Sequence, residues 1–221
     1  MLKIVVFDGG YGGELFADQL EETFPVLEVI RVIDWRIADE FLKNKRSARR
    51  EAIKALGPYI GRVDLIVLAN YYLGITSLKY LAHKFKNQKF VGLKLPEPDT
   101  FMRRPTAIFT TKALAKTISY RKYLFKLKRK TTTLCLDHWL PLIDDGELTE
   151  QIIVGEFGHL CDKYRYRPAE IILACSHFND LIPTLREKVD KNLKIHDDFR
   201  DTLSEIGKTL KIRGGTGDRT H

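Results

Sequence analysis

Short runs rich in isoleucine, valine and leucine punctuate this chain at residues 2–7, 28–33, 63–69, 89–93, 106–110, 131–136, 169–174 and 193–196. They lack the polar alternation of a strand with one wet face, so they read as strands covered on both sides. Between them apolar residues fall at helical spacing: Leu15, Phe16, Gln19 and Leu20; Ile75, Leu78, Leu81, Ala82 and Phe85; Leu181, Ile182, Leu185 and Val189; Phe199, Leu203, Ile206 and Leu210. Strand and helix in alternation specify an α/β fold with mainly parallel sheets, because parallel neighbours need a crossover long enough to hold a helix.

The pattern is also doubled. VDLIVLANYYLG (63–74) overlays AEIILACSHF (169–178), matching Ile66-Val67-Leu68-Ala69 to Ile171-Ile172-Leu173-Ala174 and placing Asn70 opposite Cys175. The stretch LKLPEPDTFMRRP, with Pro96, Pro98 and Pro105, can continue neither strand nor helix and marks a lobe boundary. We therefore expect an N-terminal α/β lobe over residues 1–95, with 196–212 packing back on it. A second α/β lobe spans 96–195, and 213–221 form a flexible tail without apolar periodicity.

With 44% hydrophobic and 30% charged residues the composition is that of a soluble globular protein, and no run approaches the length of a membrane span. The N-terminal MLKIVVFDGG is too short in its apolar part for a secretory leader. Three widely spaced cysteines, at 135, 161 and 175, argue against a disulfide framework and for a reducing, cytoplasmic compartment. The net charge of +8 gathers in KNKRSARR (43–50) and RKYLFKLKRK (121–130). Both runs fit helices whose other face is apolar, so each reads as a solvated face, with neither a nucleic acid nor a membrane as partner.

In parallel sheets ligands bind beyond the carboxyl ends of the strands. Three segments put unusual residues there. VFDGGYGG ends the first strand with Asp8, Gly9 and Gly10, a backbone able to approach an anion, although Asp8 could equally cap the helix that follows. A dinucleotide fingerprint fails, since Leu15 stands where its third glycine belongs. The other two are the doubled strand ends. Cys175 followed by Ser176 and His177 reads as a functional thiol with its proton partner, whereas Cys135 and Cys161 read as structural. No C-x-x-C or H-E-x-x-H pattern suggests a metal.

On these segments the chain resembles the aspartate/glutamate racemase family, most of all its glutamate-specific members. Asp8 to Gly13 (DGGYGG) is similar to that family's D-S-G-x-G-G loop, Cys175-Ser176-His177 to its C-T-H segment, and PLIDDGEL from Pro141 to its P-L-V-E-x-G segment, which aligns Asp144 with an orienting carboxylate. The resemblance implies two pseudosymmetric lobes with an active-site cleft between them, no cofactor, and a two-thiol inversion of a small acidic amino acid or related carboxylate. It implies a setting in amino-acid metabolism and peptidoglycan synthesis, and it leaves a homodimer open. Catalytic roles would fall to Cys175, His177, Asp8 and Asp144, and substrate contacts to Gly9, Gly10, Asn70, Tyr71, Tyr72, Thr111 and Ser176. Here the chain departs from the pattern: the family's first cysteine is absent, Asn70, Tyr71 and Tyr72 stand in its C-N-T segment, the P-Y-G segment has no counterpart near 41–47, and Leu114 replaces the second threonine after Thr111. A carboxamide cannot abstract a proton in this range. Three readings remain open: a racemase-type enzyme with one of two thiols, a single-cysteine decarboxylase or isomerase of the same superfamily, and a silent binder of an acidic metabolite.

Overall fold

The structure, a computed structural model, describes residues 1–98, 105–127, 131–165 and 167–214, with Asp39, Phe41, Leu42 and Tyr164 described by backbone alone. The tail expected from 213 lies outside the described residues beyond Gly214, as do the middle of the proline-rich stretch and the end of the second basic run. The chain divides into two compact units, residues 1–94 with 198–221, and residues 95–197.

In the first unit β1 (Leu2–Asp8), β2 (Leu27–Ile33), β3 (Leu65–Leu68) and β4 (Phe90–Gly92) form one parallel sheet in the order β2-β1-β3-β4. Its helices are α1 (Tyr11–Thr23), α2 (Ile37–Lys43), α3 (Lys45–Leu56), α4 (Tyr71–Lys84) and, returning from the far end of the chain, α10 (Asp198–Leu210). The central strands are sealed on both faces: Ile4 to Phe7 and Leu65 to Leu68 have no exposed surface. That is why these runs carry no polar alternation. Phe16 of α1 meets Phe199 of α10 edge to face at 5.0 Å, fixing the returning helix to this sheet.

The second unit repeats the plan. β5 (Thr106–Thr110), β6 (Thr131–Cys135), β7 (Glu170–Ala174) and β8 (Lys194–His196) are parallel in the order β6-β5-β7-β8. Around them lie α5 (Lys112–Ala115), α6 (Ile118–Leu127), α7 (Trp139–Asp144) and α8 (Glu150–Tyr164). Trp139 is fully buried, with Phe109 and Phe178 edge to face against it at 6.0 and 6.3 Å. The same strand order in both units is the structural form of the doubled sequence.

One expectation is corrected. The apolar spacing from Leu181 to Val189 reads as a single helix, but the chain there is a 3-10 helix (Ser176–Leu181), one α turn, α9 (Ile182–Thr184), and a π turn (Leu185–Val189). Pro183 is the reason: it carries no N–H to continue the ladder from the preceding turn, so a new segment starts around it.

Glycine is required within α4. A Cβ on Gly74 of α4 would lie 1.9 Å from the carbonyl oxygen of Leu93, just after β4. Gly74→Ala is expected to destabilise the protein by roughly 1–3 kcal/mol through overpacking. Urea unfolding measures this, and an unchanged midpoint would count against the close approach.

Candidate active site

In each unit the chemistry-bearing residues gather where the central strands end. Asp8 closes β1, and Asn70 follows Ala69, whose N–H donates to the Phe7 carbonyl at 2.9 Å. The Asp8 carboxylate is wholly buried, and its Oδ1 accepts from the Gly9 N–H at 2.6 Å and from Asn70 Nδ2 at 2.7 Å. The other end of the same carboxamide, Asn70 Oδ1, accepts from the Leu73 N–H at 3.1 Å, making Asn70 the N-cap of α4. Both functions of Asn70 therefore have partners within the fold. The N-cap of α1 is Gly10, while Asp8 turns to Gly9 and Asn70. Gly13 permits this tight turn, since a Cβ there would meet Asp8 Cβ at 2.4 Å and Ile33 Cδ1 at 2.7 Å.

Tyr71 and Tyr72 both point into the protein, being 2% and 7% exposed. The Tyr71 hydroxyl donates to Asp198 Oδ2 at 2.6 Å, linking the start of α4 to the start of α10. Burial pushes the Tyr72 phenol above its ordinary value, so it remains a neutral hydroxyl.

In the second unit Thr110 at the end of β5 lies level with Ala174 at the end of β7, so Thr111 and Cys175 leave the sheet at the same edge. Thr111 caps α5 by accepting from the Leu114 N–H at 3.4 Å. Cys175 precedes the 3-10 helix without capping it by its side chain; its carbonyl accepts from the Phe178 N–H at 3.1 Å. Ser176 is buried and its carbonyl accepts from Asn179 Nδ2 at 3.4 Å. The thiol meets a histidine: Cys175 Sγ lies 3.8 Å from His177 Nδ1. On the other side of that ring, His177 Nε2 lies 3.3 Å from Asp144 Oδ1 at the end of α7.

This chain of three sets the tautomer. With Nε2–H donating to Asp144, Nδ1 presents its lone pair to the thiol and can take its proton. The side chains of His177 and Asp144 are only 13% and 29% exposed. Burial depresses the histidine below its ordinary value, with Asp144 opposing, and burial raises Asp144, with His177 opposing. Desolvation outweighs the mutual attraction at both groups, so the imidazole stays neutral down to lower pH than an exposed histidine would. Burial also pushes the thiols of Cys135 and Cys161 up, leaving them poor nucleophiles. Among the described residues no cluster of three or more His, Cys, Asp or Glu side chains could hold a metal ion.

No protein-family model matches the chain. A glutamate racemase of Aquifex aeolicus is 20% identical over 96% of this chain and 85% of its own length. Among solved structures, Escherichia coli glutamate racemase in complex with L-glutamate and an activator superposes at a TM-score of 0.73, with 18% identity, over 97% of this chain and 84% of that one. Francisella tularensis glutamate racemase in complex with D-glutamate superposes at 0.77, with 15% identity, over 95% and 81%. The chain has the fold of the aspartate/glutamate racemases, and it resembles glutamate racemase along nearly its whole length.

Two roles had escaped the sequence reading. Asn70 is a cap and the partner of Asp8, and Asp198 is the acceptor that holds Tyr71. An asparagine directly before a helical pattern is the ordinary N-cap signal and was available for Asn70. Nothing local in the sequence pairs residues 71 and 198.

Asn70→Ala is expected to cost about 1 kcal/mol through the lost cap, with a further loss from the unmade bond to buried Asp8; chemical denaturation measures both. Limiting iodoacetamide should alkylate Cys175 before Cys135 and Cys161. Its rate should fall as pH drops through the His177 titration, below the ordinary histidine value of about 6.5, and His177→Ala should remove that inflection. Preferential labelling of Cys135 or Cys161 would sink the assignment.

Proposed function

We propose that the protein is a cofactor-independent enzyme of the racemase type that moves a proton at the α-carbon of a small acidic amino acid or related carboxylate, with Cys175 as its one acid/base thiol. The observation that carries this reading is the line from Cys175 through His177 to Asp144. A neutral imidazole beside the thiol can accept its proton as the sulfur acts, and the carboxylate behind it stabilises the imidazolium that results. The thiolate removes the α-proton from one face and can return a solvent proton to that face. Thr111 and Ser176, at the same strand edge as Cys175, would bind the substrate carboxylate. Cytoplasmic amino-acid metabolism feeding peptidoglycan synthesis is the setting that goes with this reading.

Inversion needs a second acid/base group on the opposite face of the carbon. Aligned without a gap, the family resemblance would put a second thiol at Asn70, which is bonded to Asp8 and to Leu73. That observation favours a second reading in which chemistry on a single face is the natural outcome, as when one thiol protonates the carbanion left by decarboxylation.

The deciding experiment follows α-proton exchange in deuterated water over a panel of amino and dicarboxylic acids. Exchange with retention, lost by a factor of roughly 10² to 10⁴ in Cys175→Ala, supports one-thiol catalysis. Asn70→Cys should then add inversion, weakly, since it also removes the cap of α4. Tyr71 is best left in place, because truncating it takes the donor from buried Asp198. Exchange that survives Cys175→Ala would defeat the proposal. Absence of any exchange despite measurable binding of an acidic ligand would establish the silent binder instead.

A further inference from the structure

The two basic runs, alike in sequence, differ in the structure. In and beside the first, cations are engaged: Lys43 pairs with Glu40 at 2.5 Å, Arg50 with Glu51 at 3.0 Å, and Arg49 lies over the Tyr80 ring at 4.5 Å while bonding Ser77. From Lys112 to Lys130 the sequence holds eight lysines or arginines and no aspartate or glutamate. In α6 the buried side carries Tyr120 and Leu127, and the Tyr120 hydroxyl is bonded to Thr133 at 2.8 Å. The opposite stripe carries Ile118, Arg121, Lys122, Phe125 and Lys126, all exposed and at the spacing of one helix face. Ile118 is 69% exposed and Phe125 84%, large apolar groups that a helix in water alone would not favour. Among the described residues no ion pair involves Arg121, Lys122 or Lys126.

We propose that this face of α6 docks the protein peripherally on a membrane surface bearing anionic phospholipids. Cations alternating with bulky apolar side chains on one stripe suit a helix lying in the plane of the interface. The lipid phosphates and carboxylates would neutralise Arg121, Lys122 and Lys126 while Ile118 and Phe125 enter the acyl boundary. This is surface binding, since no helix among the described residues is long and apolar enough to cross a membrane. A second copy of the chain fits less well. Its most acidic helix, α1, already holds Arg31 with Glu14, Asp18 and Glu21 at 2.9, 2.8 and 2.7 Å. Single-stranded nucleic acid would use the cations and the Phe125 ring but would leave Ile118 in water. The proposal stands apart from the chemistry at Cys175, since none of these residues belongs to that site.

Co-sedimentation with phosphatidylcholine vesicles, with and without phosphatidylserine, tests it. Binding is expected only with phosphatidylserine at low salt. Arg121→Gln, Lys122→Gln and Lys126→Gln together should weaken it roughly 100-fold, from about fivefold per cation. Ile118→Ser with Phe125→Ser should remove the fraction that survives high salt. Phe125→Trp, which keeps the face apolar, should bind as the parent does and blue-shift its emission on phosphatidylserine vesicles. The same net charge removed from α3 by Lys45→Gln, Arg46→Gln and Arg50→Gln should change little. Equal loss from the α3 variant, no binding to phosphatidylserine, or tighter binding to single-stranded RNA that survives the serine substitutions would overturn the proposal.

Discussion

Each of the central strands β1, β3, β5 and β7 ends where a helix has to begin, and the first N–H groups of that helix need acceptors that the helix itself cannot supply. At the end of β3 the acceptor is Asn70, and because a carboxamide also donates, the same side chain secures the buried Asp8 carboxylate. A side chain that satisfies both a helix terminus and a buried charge is hard to replace without loss. At the matching end of β7 the residue is Cys175. A thiol is a weak acceptor, and here the Phe178 N–H bonds the Cys175 carbonyl instead of the side chain. The sulfur is thereby left to His177. The same topological position carries a helix cap in one unit and a thiol beside a histidine in the other.

What the sulfur can do depends on where the proton of His177 goes. An exposed histidine beside a carboxylate would be held charged, and a charged ring cannot accept the thiol's proton. Burial reverses the balance. With both His177 and Asp144 largely enclosed, desolvation of the two charges outweighs their attraction, and the neutral ring is retained. The sign follows for stability as well: the unfolded chain binds a proton at this histidine that the native protein resists, so stability is lost as pH falls below the ordinary histidine value.

Much of this fold is written in the sequence because parallel strands sealed on both faces must be continuously apolar. Runs such as Leu65 to Leu68 and Glu170 to Ala174, with one buried acid among them, are therefore visible without neighbours. The contact between Cys175 and His177 was legible for the same local reason, two residues apart on one loop. Asp144 could be joined to them only through a family likeness, and the bond from Tyr71 to Asp198 spans 127 positions and leaves no local trace. The segment after Leu181 misled because apolar spacing reports a buried face, whereas the missing N–H of Pro183 decides which helical ladder can form. Charge runs told less. The run near Lys43 and the run near Lys122 read alike, and only the positions of Glu40, Glu51 and Tyr80 show that one has partners at hand.

Asn70 also limits how far the chemistry of a relative can be restored by substitution. A cysteine there would bring a thiol to the matching strand end, but it would withdraw the cap of α4 and one of the donors to Asp8 together. Asp8 is wholly buried, and with the carboxamide gone the Gly9 N–H would still donate to it while the bond from position 70 is lost. The change therefore alters the electrostatics that the new thiol would meet, since the buried carboxylate beside it has one donor fewer. Cap, carboxylate and acid/base group at this strand end are coupled, and a gain in one is made against the other two.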